Sequence, residues 1–246
     1  MGAAFDEIKV VLTRPEGRSV ELAEALGALG AEVTEVPLLE VVVAPDGGAS
    51  LRAGLEQLDA GDWIALTSAA AIEGLCSART PRELSSFRLA AVGEATADAA
   101  RAHGLEPTLV GDGRGGGALA AQLPPPDREG APILLALAAE PMAALGEGVV
   151  AAGYTPVLAT AYATVPAVLE DTQVASLRAG EVLVLSSPKG VRLAAEVLGT
   201  ARPGVVALGP TTAEAARVLG FDRLVVAESP GTAGVVAAFK VLAATA

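Results

Sequence analysis

One cysteine and one histidine stand among the 246 residues of this chain. Cys76 by itself cannot close an internal disulfide, which suits a reducing compartment. His103 stands before Gly104 at a helix C-terminal signal, where a capping or cationic role is ordinary, so the usual Ser-His-Asp and Cys-His arrangements have no base to use. No Cys/His/Asp cluster has metal-ligand spacing, and no metal is expected. Aromatic residues are 3% of the chain, so the interior must be built from closely packed small aliphatic side chains, as helices on a parallel sheet require. Apolar runs such as Val182–Leu185 and Val205–Leu208 fall far short of the ~18 residues a membrane span needs. Met1–Asp6 lacks a basic stretch followed by a long apolar one, so no secretory signal is expected and the cytoplasm is the expected location. Basic residues are outnumbered 17 to 29, a net charge of −12, and no Lys/Arg cluster could neutralise several phosphates together. That balance speaks against a nucleic-acid partner and means that any anion site must be local.

What the chain has in quantity is apolar surface: 52% of residues are hydrophobic and 19% charged, with a mean hydropathy of +0.49. Such a chain buries a large core, and its length is where one core gives way to two lobes. Strand and helix signals alternate throughout. Ile8–Leu12 is a β-branched run, followed by Pro15 at a predicted first helical position and by Val20, Leu22, Ala23, Leu26 and Leu29 at helical spacing, closed by Gly30. Val33–Val36 reads as the next strand, and strand-helix units recur at 63–75, 89–103, 133–152, 182–198 and 205–219. The alternation predicts α/β architecture with mainly parallel sheets and right-handed crossovers.

An internal repeat refines this. Trp63-Ile64-Ala65-Leu66-Thr67-Ser68 matches Val182-Leu183-Val184-Leu185-Ser186-Ser187, and Ala91-Val92-Gly93-Glu94-Ala95-Thr96-Ala97 matches Ala207-Leu208-Gly209-Pro210-Thr211-Thr212-Ala213 at nearly the same offset. A weaker match aligns Val10 through Gly30 with Leu134 through Gly153. Two similar lobes follow. The segments 37–45 and 158–166, both extended, apolar and closed by proline, occupy equivalent places in the two copies. Paired as a double hinge, they would put residues 39–165 in one lobe and both chain ends in the other; a simple tandem split is the alternative.

Parallel α/β sheets bind ligands at the carboxyl ends of strands, where helix N-termini offer free N–H groups. Thr13, Thr67-Ser68, Gly93 with Thr96, Ser186-Ser187 and Gly209 with Thr211-Thr212 all fall at such junctions, with Arg14, Arg18 and Lys189 the nearest cations. Each hydroxyl could equally be a helix cap, and Thr211 with Glu214 fits a capping box. Their recurrence in both copies favours a site that holds a polyanion on several helix N-termini, which would reconcile an acidic protein with an anionic ligand. Gly111-Asp112-Gly113-Arg114-Gly115-Gly116 satisfies the Gly-x-Gly-x-x-Gly dinucleotide pattern, but its counterpart Glu228–Gly234 lacks it, and a loop over the site covers both copies better. Tyr154 and Tyr162 are the only phenols. Tyr162 lies in the second predicted hinge segment, where a phenol could donate a proton, or simply pack.

Thr13-Arg14-Pro15, Pro37-Leu38-Leu39, Thr67-Ser68-Ala69, Ala91 to Ala97, Tyr162, Ser187-Pro188 and Gly209 to Ala213 together resemble the uroporphyrinogen-III synthases in order and spacing along nearly the whole chain. The resemblance implies two α/β lobes joined by a two-strand linker, residues 1–38 with 166–246 and residues 39–165. It implies a cofactor-free lyase that takes hydroxymethylbilane, a linear tetrapyrrole bearing eight carboxylates, loses the hydroxyl of ring A, and closes the ring with inversion of ring D through a spiro intermediate. A monomer is implied, as is transient contact with the preceding enzyme of the pathway. Tyr162 would assist departure of the hydroxyl; Thr13, Arg14, Ser68, Gly93, Thr96, Ser187, Thr211 and Thr212 would hold substrate. One departure is Ala138-Ala139-Glu140-Pro141-Met142, where family members often carry a Gly and basic residues, which implies a lost substrate contact or a diverged paralogue. The alternative reading is a non-catalytic two-lobed protein that binds a small anion and has lost the chemistry.

Overall fold

Runs that are apolar at every position cannot leave one face in water, and here they become the central strands of two mainly parallel sheets. The computed structural model describes residues 5, 7–15, 17, 19–140 and 143–245. The chain divides into two compact units, Met1–Glu40 with Val165–Ala246, and Val41–Thr164. The sheet of the first unit is made of β1 (Lys9–Leu12), β2 (Glu32–Glu35), β9 (Val182–Leu185), β10 (Gly204–Ala207) and β11 (Leu224–Val226), in the order β11-β10-β9-β1-β2 with every pair parallel. The second sheet contains β3 (Leu39–Val43), β4 (Trp63–Leu66), β5 (Arg88–Ala91), β6 (Leu109–Val110), β7 (Pro132–Ala138) and β8 (Thr155–Pro166), in the order β3-β8-β7-β4-β5-β6. Its pairs from β8 to β6 are parallel. The chain passes from the first unit to the second within β3 and back within β8.

Helices cover both faces of each sheet. On the first, α1 (Val20–Gly27) and α11 (Thr232–Ala243) bring Leu22, Leu26 and Phe239 onto Val10, Leu12 and Val184. Val11, Leu183 and Leu185, one residue out of phase, face α8 (Asp171–Ala179), α9 (Pro188–Leu198) and α10 (Pro210–Val218) instead. On the second sheet, α2 (Ala49–Leu55), α3 (Ala69–Ala78), the single turn α4 (Pro81–Leu84) and α5 (Glu94–Ala102) cover one face, and α6 (Gly116–Ala120) with α7 (Ala143–Ala151) the other.

The sequence repeat is also a repeat of topology. The order β6-β5-β4-β7-β8 in the second sheet corresponds strand for strand to β11-β10-β9-β1-β2 in the first. Ser68 and Ser187 take the same capping role on α3 and α9, accepting from the N–H groups of Ala71 at 3.3 Å and Gly190 at 3.1 Å. The turns after α1 and α7 both pass through a left-handed glycine, Gly30 at φ 95° and Gly153 at φ 91°, a conformation costly to any residue with a Cβ. Two expected details differ. The helix α1 begins at Val20 behind Ser19 and not at Pro15, because Gly17 at φ 74° turns the chain between them. The cap of α10 is Gly209, so Thr211 lies inside the first turn and forms no capping box with Glu214.

Register breaks once along β7 and β8. Leu137 pairs with Thr160, but Ala138 pairs with Tyr162, leaving Ala161 as an extra residue on β8. A bulge of this kind puts two successive residues on one side of the strand, and both Ala161 and Tyr162 pack against the same apolar cluster. Room for it comes from Gly74 in the middle of α3: a Cβ there would lie 2.2 Å from the Ala161 carbonyl oxygen. Gly74→Ala therefore loses more from this collision than the ~1 kcal/mol of helix propensity it gains. We expect a net destabilisation of about 1–3 kcal/mol, read as an earlier thermal or urea transition; an unchanged or later transition would show that the bulge does not depend on that glycine.

Candidate active site

In an open parallel sheet, the crevice forms where successive strands depart in opposite directions along the sheet. That reversal falls between β4 and β7 in the second sheet and between β1 and β9 in the first. At the carboxyl end of the β4–β7 boundary lies a pocket of about 330 Å³, small for a ligand site. Thr67 at the end of β4, Val92 after β5, Leu137 and Ala138 on β7, Glu140 beyond it and Tyr162 on β8 line it, with Leu145 of α7 and glycines of the loop before α6. The bulge sets the geometry of this wall: Ala138 lies directly opposite Tyr162, and the Ala139 N–H donates to the Tyr162 carbonyl at 2.8 Å. Tyr162 is half-buried, its ring packed against core and also lining the pocket.

The residues singled out in the sequence divide between the two units. In the second, Tyr162 lines the pocket, and Ser68, Gly93 and Thr96 sit at the carboxyl ends of the adjacent strands β4 and β5. Neighbouring residues separate by role: Ser68 turns back to cap α3, and the hydroxyl-bearing residue that reaches the pocket is Thr67. Thr96 is buried beneath the first turn of α5, its backbone N–H bonded to the Gly93 carbonyl at 3.1 Å. In the first unit, Thr13, Arg14, Ser187, Thr211 and Thr212 gather at the carboxyl ends of the adjacent strands β1, β9 and β10. Thr13 is buried, and its hydroxyl donates to the Val184 carbonyl at 2.7 Å, tying β1 to β9. Thr212, like Thr96, is buried, whereas Thr211 is exposed and Arg14 half-buried. Lys189 is in the first turn of α9. Arg18 lies outside the described residues, as do Pro141 and Met142 of the segment that departs from the family pattern.

Glycines at the two equivalent helix starts have different reasons to be there. Gly93 has extended φ, and a Cβ on it would come within 3.0 Å of Gly113, so the loop after β6 seals that side. Gly209 is also extended, with nothing within 4 Å of a Cβ, so its helix start stands open. Close approach also accounts for the Gly-rich loop. A Cβ on Gly111 would meet the Val92 carbonyl at 2.7 Å and one on Gly116 the Leu145 side chain at 2.7 Å. The loop moreover follows β6, at the edge of the sheet, whereas the dinucleotide pattern belongs after the strand beside the reversal. The glycines serve packing.

The other reactive side chains are occupied or quiet. The Tyr154 hydroxyl donates to the Pro124 carbonyl at 2.9 Å, and burial pushes its pKa up. Burial likewise raises the Cys76 thiol, leaving it a packed side chain. Among the described residues no group of acidic, His and Cys side chains could hold a metal ion, and no helix is long and apolar enough to cross a membrane. Leu145, a pocket residue that sequence reading missed, carries no local signal and reaches the pocket only through the docking of α7, whereas Glu140 belongs to the segment marked in the sequence as departing from the family pattern and follows β7.

A family model described as uroporphyrinogen-III synthase HemD matches residues 20–237. No curated relative matches the sequence. Among solved structures, uroporphyrinogen-III synthetase from Helicobacter pylori 26695 aligns with a TM-score of 0.68 at 16% identity, over 96% of this chain and 99% of that one. A mutant uroporphyrinogen III synthase from the extremely thermophilic bacterium Thermus thermophilus aligns with a TM-score of 0.59 at 20% identity, over 97% of this chain and all of that one. At such identities the two structures establish a shared fold.

Proposed function

The chain belongs to the uroporphyrinogen-III synthase family, cyclising lyases of tetrapyrrole biosynthesis, and on that premise we propose how its own residues carry out the reaction. The family match over most of the chain carries the reading. Its substrate is a small tetrapyrrole, specifically hydroxymethylbilane. Water leaves ring A, ring D attacks the resulting azafulvene at its substituted carbon to give a spiro intermediate, and reopening and reclosure invert ring D. No cofactor takes part.

Spontaneous closure gives the type I isomer, so the protein must hold a floppy chain in the one geometry where the inverting attack is faster. Orientation is the main contribution and electrostatic preorganisation the second. Tyr162 supplies a proton to the departing hydroxyl; its support is its position in a pocket at the strand-order reversal, on a wall set by the bulge. Substrate carboxylates are held at helix starts, by Ser68, Gly93 and Thr96 in one unit and by Thr13, Arg14, Ser187, Thr211 and Thr212 in the other. Each N-terminus contributes a dipole term of roughly 0.3–1 kcal/mol. A hydroxyl oxygen that accepts a helix N–H, as in Ser68 and Ser187, still has its own proton to donate. For the buried Thr13, Thr96 and Thr212 the contact is made through backbone N–H groups beside them. The connections 37–45 and 158–166 are the linker, the location is the cytoplasm, and the protein works as a monomer with transient contact to the preceding enzyme.

Freshly generated hydroxymethylbilane, incubated with the pure protein and then oxidised, gives predominantly type III uroporphyrin without added cofactor. Type I alone, at the spontaneous rate, would leave an anion-binding protein as the better account. Tyr162→Phe lowers kcat by about 100-fold with KM little changed, the usual scale for losing a general acid; full turnover in this variant would remove Tyr162 from the chemistry. Ser187→Gly keeps a residue tolerated at a helix start, so melting stays nearly unchanged, while KM rises about ten-fold for one lost bond to a carboxylate. An unaltered KM would assign Ser187 to capping alone.

A further inference from the structure

Packing accounts for the outer glycines of the loop 111–116, not for what stands between them. Gly111 and Gly116 are held by the close approaches described above. Gly113 and Gly115 have left-handed φ of 78° and 100°, with nothing within 4 Å of a Cβ on either. The chain turns there, and the side chain of Arg114 between them is 80% exposed. Both glycines line the pocket at the β4–β7 boundary, so the backbone of Arg114 stands on its rim. The Gly111 and Gly113 N–H groups donate to the Ala91 and Val92 carbonyls at 2.8 and 2.9 Å, which fixes that backbone to the end of β5. Among the described residues lining the pocket there is no Lys or Arg, and Arg114 is the one cation next in sequence to any of them.

The partner of Arg114 is the residue two before it, and the two oxygens of Asp112 have different tasks. Oδ1 accepts the Arg114 backbone N–H at 3.1 Å and closes the turn, while Oδ2 accepts from Nε at 2.7 Å and lies 2.5 Å from a terminal guanidinium nitrogen. The first bond shapes the loop; the second only parks the side chain. An ion pair between exposed neighbours adds little stability, so exchanging Oδ2 for another carboxylate costs little and leaves the turn in place.

Resting on the family reaction proposed above, we propose that Arg114 is a substrate-binding residue: its guanidinium leaves Asp112 and takes a carboxylate of the bilane at the rim, with the ring that bears it in the pocket. A planar guanidinium holds a carboxylate through two parallel bonds. The walls Val92, Leu137, Ala138 and Leu145 suit an apolar ring and not its acid side chains, which therefore stay at the rim. Asp112 competes with the substrate for the same cation, so a ring without an acid group does not displace it.

The test is steady-state turnover of hydroxymethylbilane by the full chain, with product isomers resolved and melting recorded, for wild type, Arg114→Gln, Arg114→Lys and Asp112→Asn. Both residues are exposed, and every variant is expected to melt as the wild type does. Arg114→Gln is expected to raise KM about ten-fold with kcat little changed, the scale of one hydrogen bond to a charged group. Arg114→Lys recovers part of that loss, as a point charge without the paired geometry. Asp112→Asn keeps an acceptor for the turn and releases the guanidinium, so KM falls by about two- to three-fold. A pair that only shaped the loop would move KM in the same direction from either side. The role is overturned, with the family activity left standing, by an unaltered KM in Arg114→Gln, a loss confined to kcat, or a rise in KM that Arg114→Lys does not reduce. An unchanged or raised KM in Asp112→Asn, or changes that track a lowered melting temperature, overturn it equally. A wild type that forms only the type I isomer overturns the reaction assigned to the chain, and this role with it.

Discussion

The central strands β4, β9 and β10 are buried at every position, and a strand apolar on both faces is stable only in a sheet covered on both sides. Parallel pairing then requires each return to run through a helix, so strand carboxyl ends and helix N-termini gather along one edge. The Ser68 and Ser187 caps, the open start at Gly209 and the pocket at the β4–β7 boundary are consequences of that single constraint. The same strand order arises twice from different starting points in the chain, because the repeat is closed from its middle in the first unit and from its beginning in the second.

Within this frame one local defect aims the phenol. Ala161 is extra on β8, its N-terminal neighbours pair in regular register, and the residue after it lands opposite Ala138. The defect is held from one side by the missing side chain of Gly74 and from the other by the Ala44 N–H, which donates to the Ala161 carbonyl at 2.8 Å. A helix glycine far from Tyr162 in sequence thus sets the direction of the side chain assigned to the chemistry.

Charge is handled by placement. The far end of the second sheet carries a buried Asp62 that accepts two N–H groups of Arg128 at 2.9 Å, and an Arg88 guanidinium 4.9 Å from the Trp63 ring. These contacts hold both cations at the edge opposite the pocket, where helix N-termini remain as a means of attracting anions. Dipoles at helix ends act within a turn's length while net charge acts through screened solvent, so an acidic protein can still attract an anion there.

Alternation of strand and helix, the two-fold repeat and the hydroxyl-rich junctions were legible in the sequence, because each depends on spacing over a few residues and on side-chain period. Pro15 misled because the local turn at Gly17 overrides its preference for a helix start, and Thr211 because Gly209 had already opened the helix. Strand order, the bulge at Ala161, the choice of Thr67 over Ser68 in the pocket wall and the arrival of Glu140 and Leu145 beside Tyr162 were decided only in the tertiary structure. They rest on contacts between residues distant in the chain, Gly74 with Ala161 and Ala138 with Tyr162, and no property of a short segment records which distant segment will pair with it.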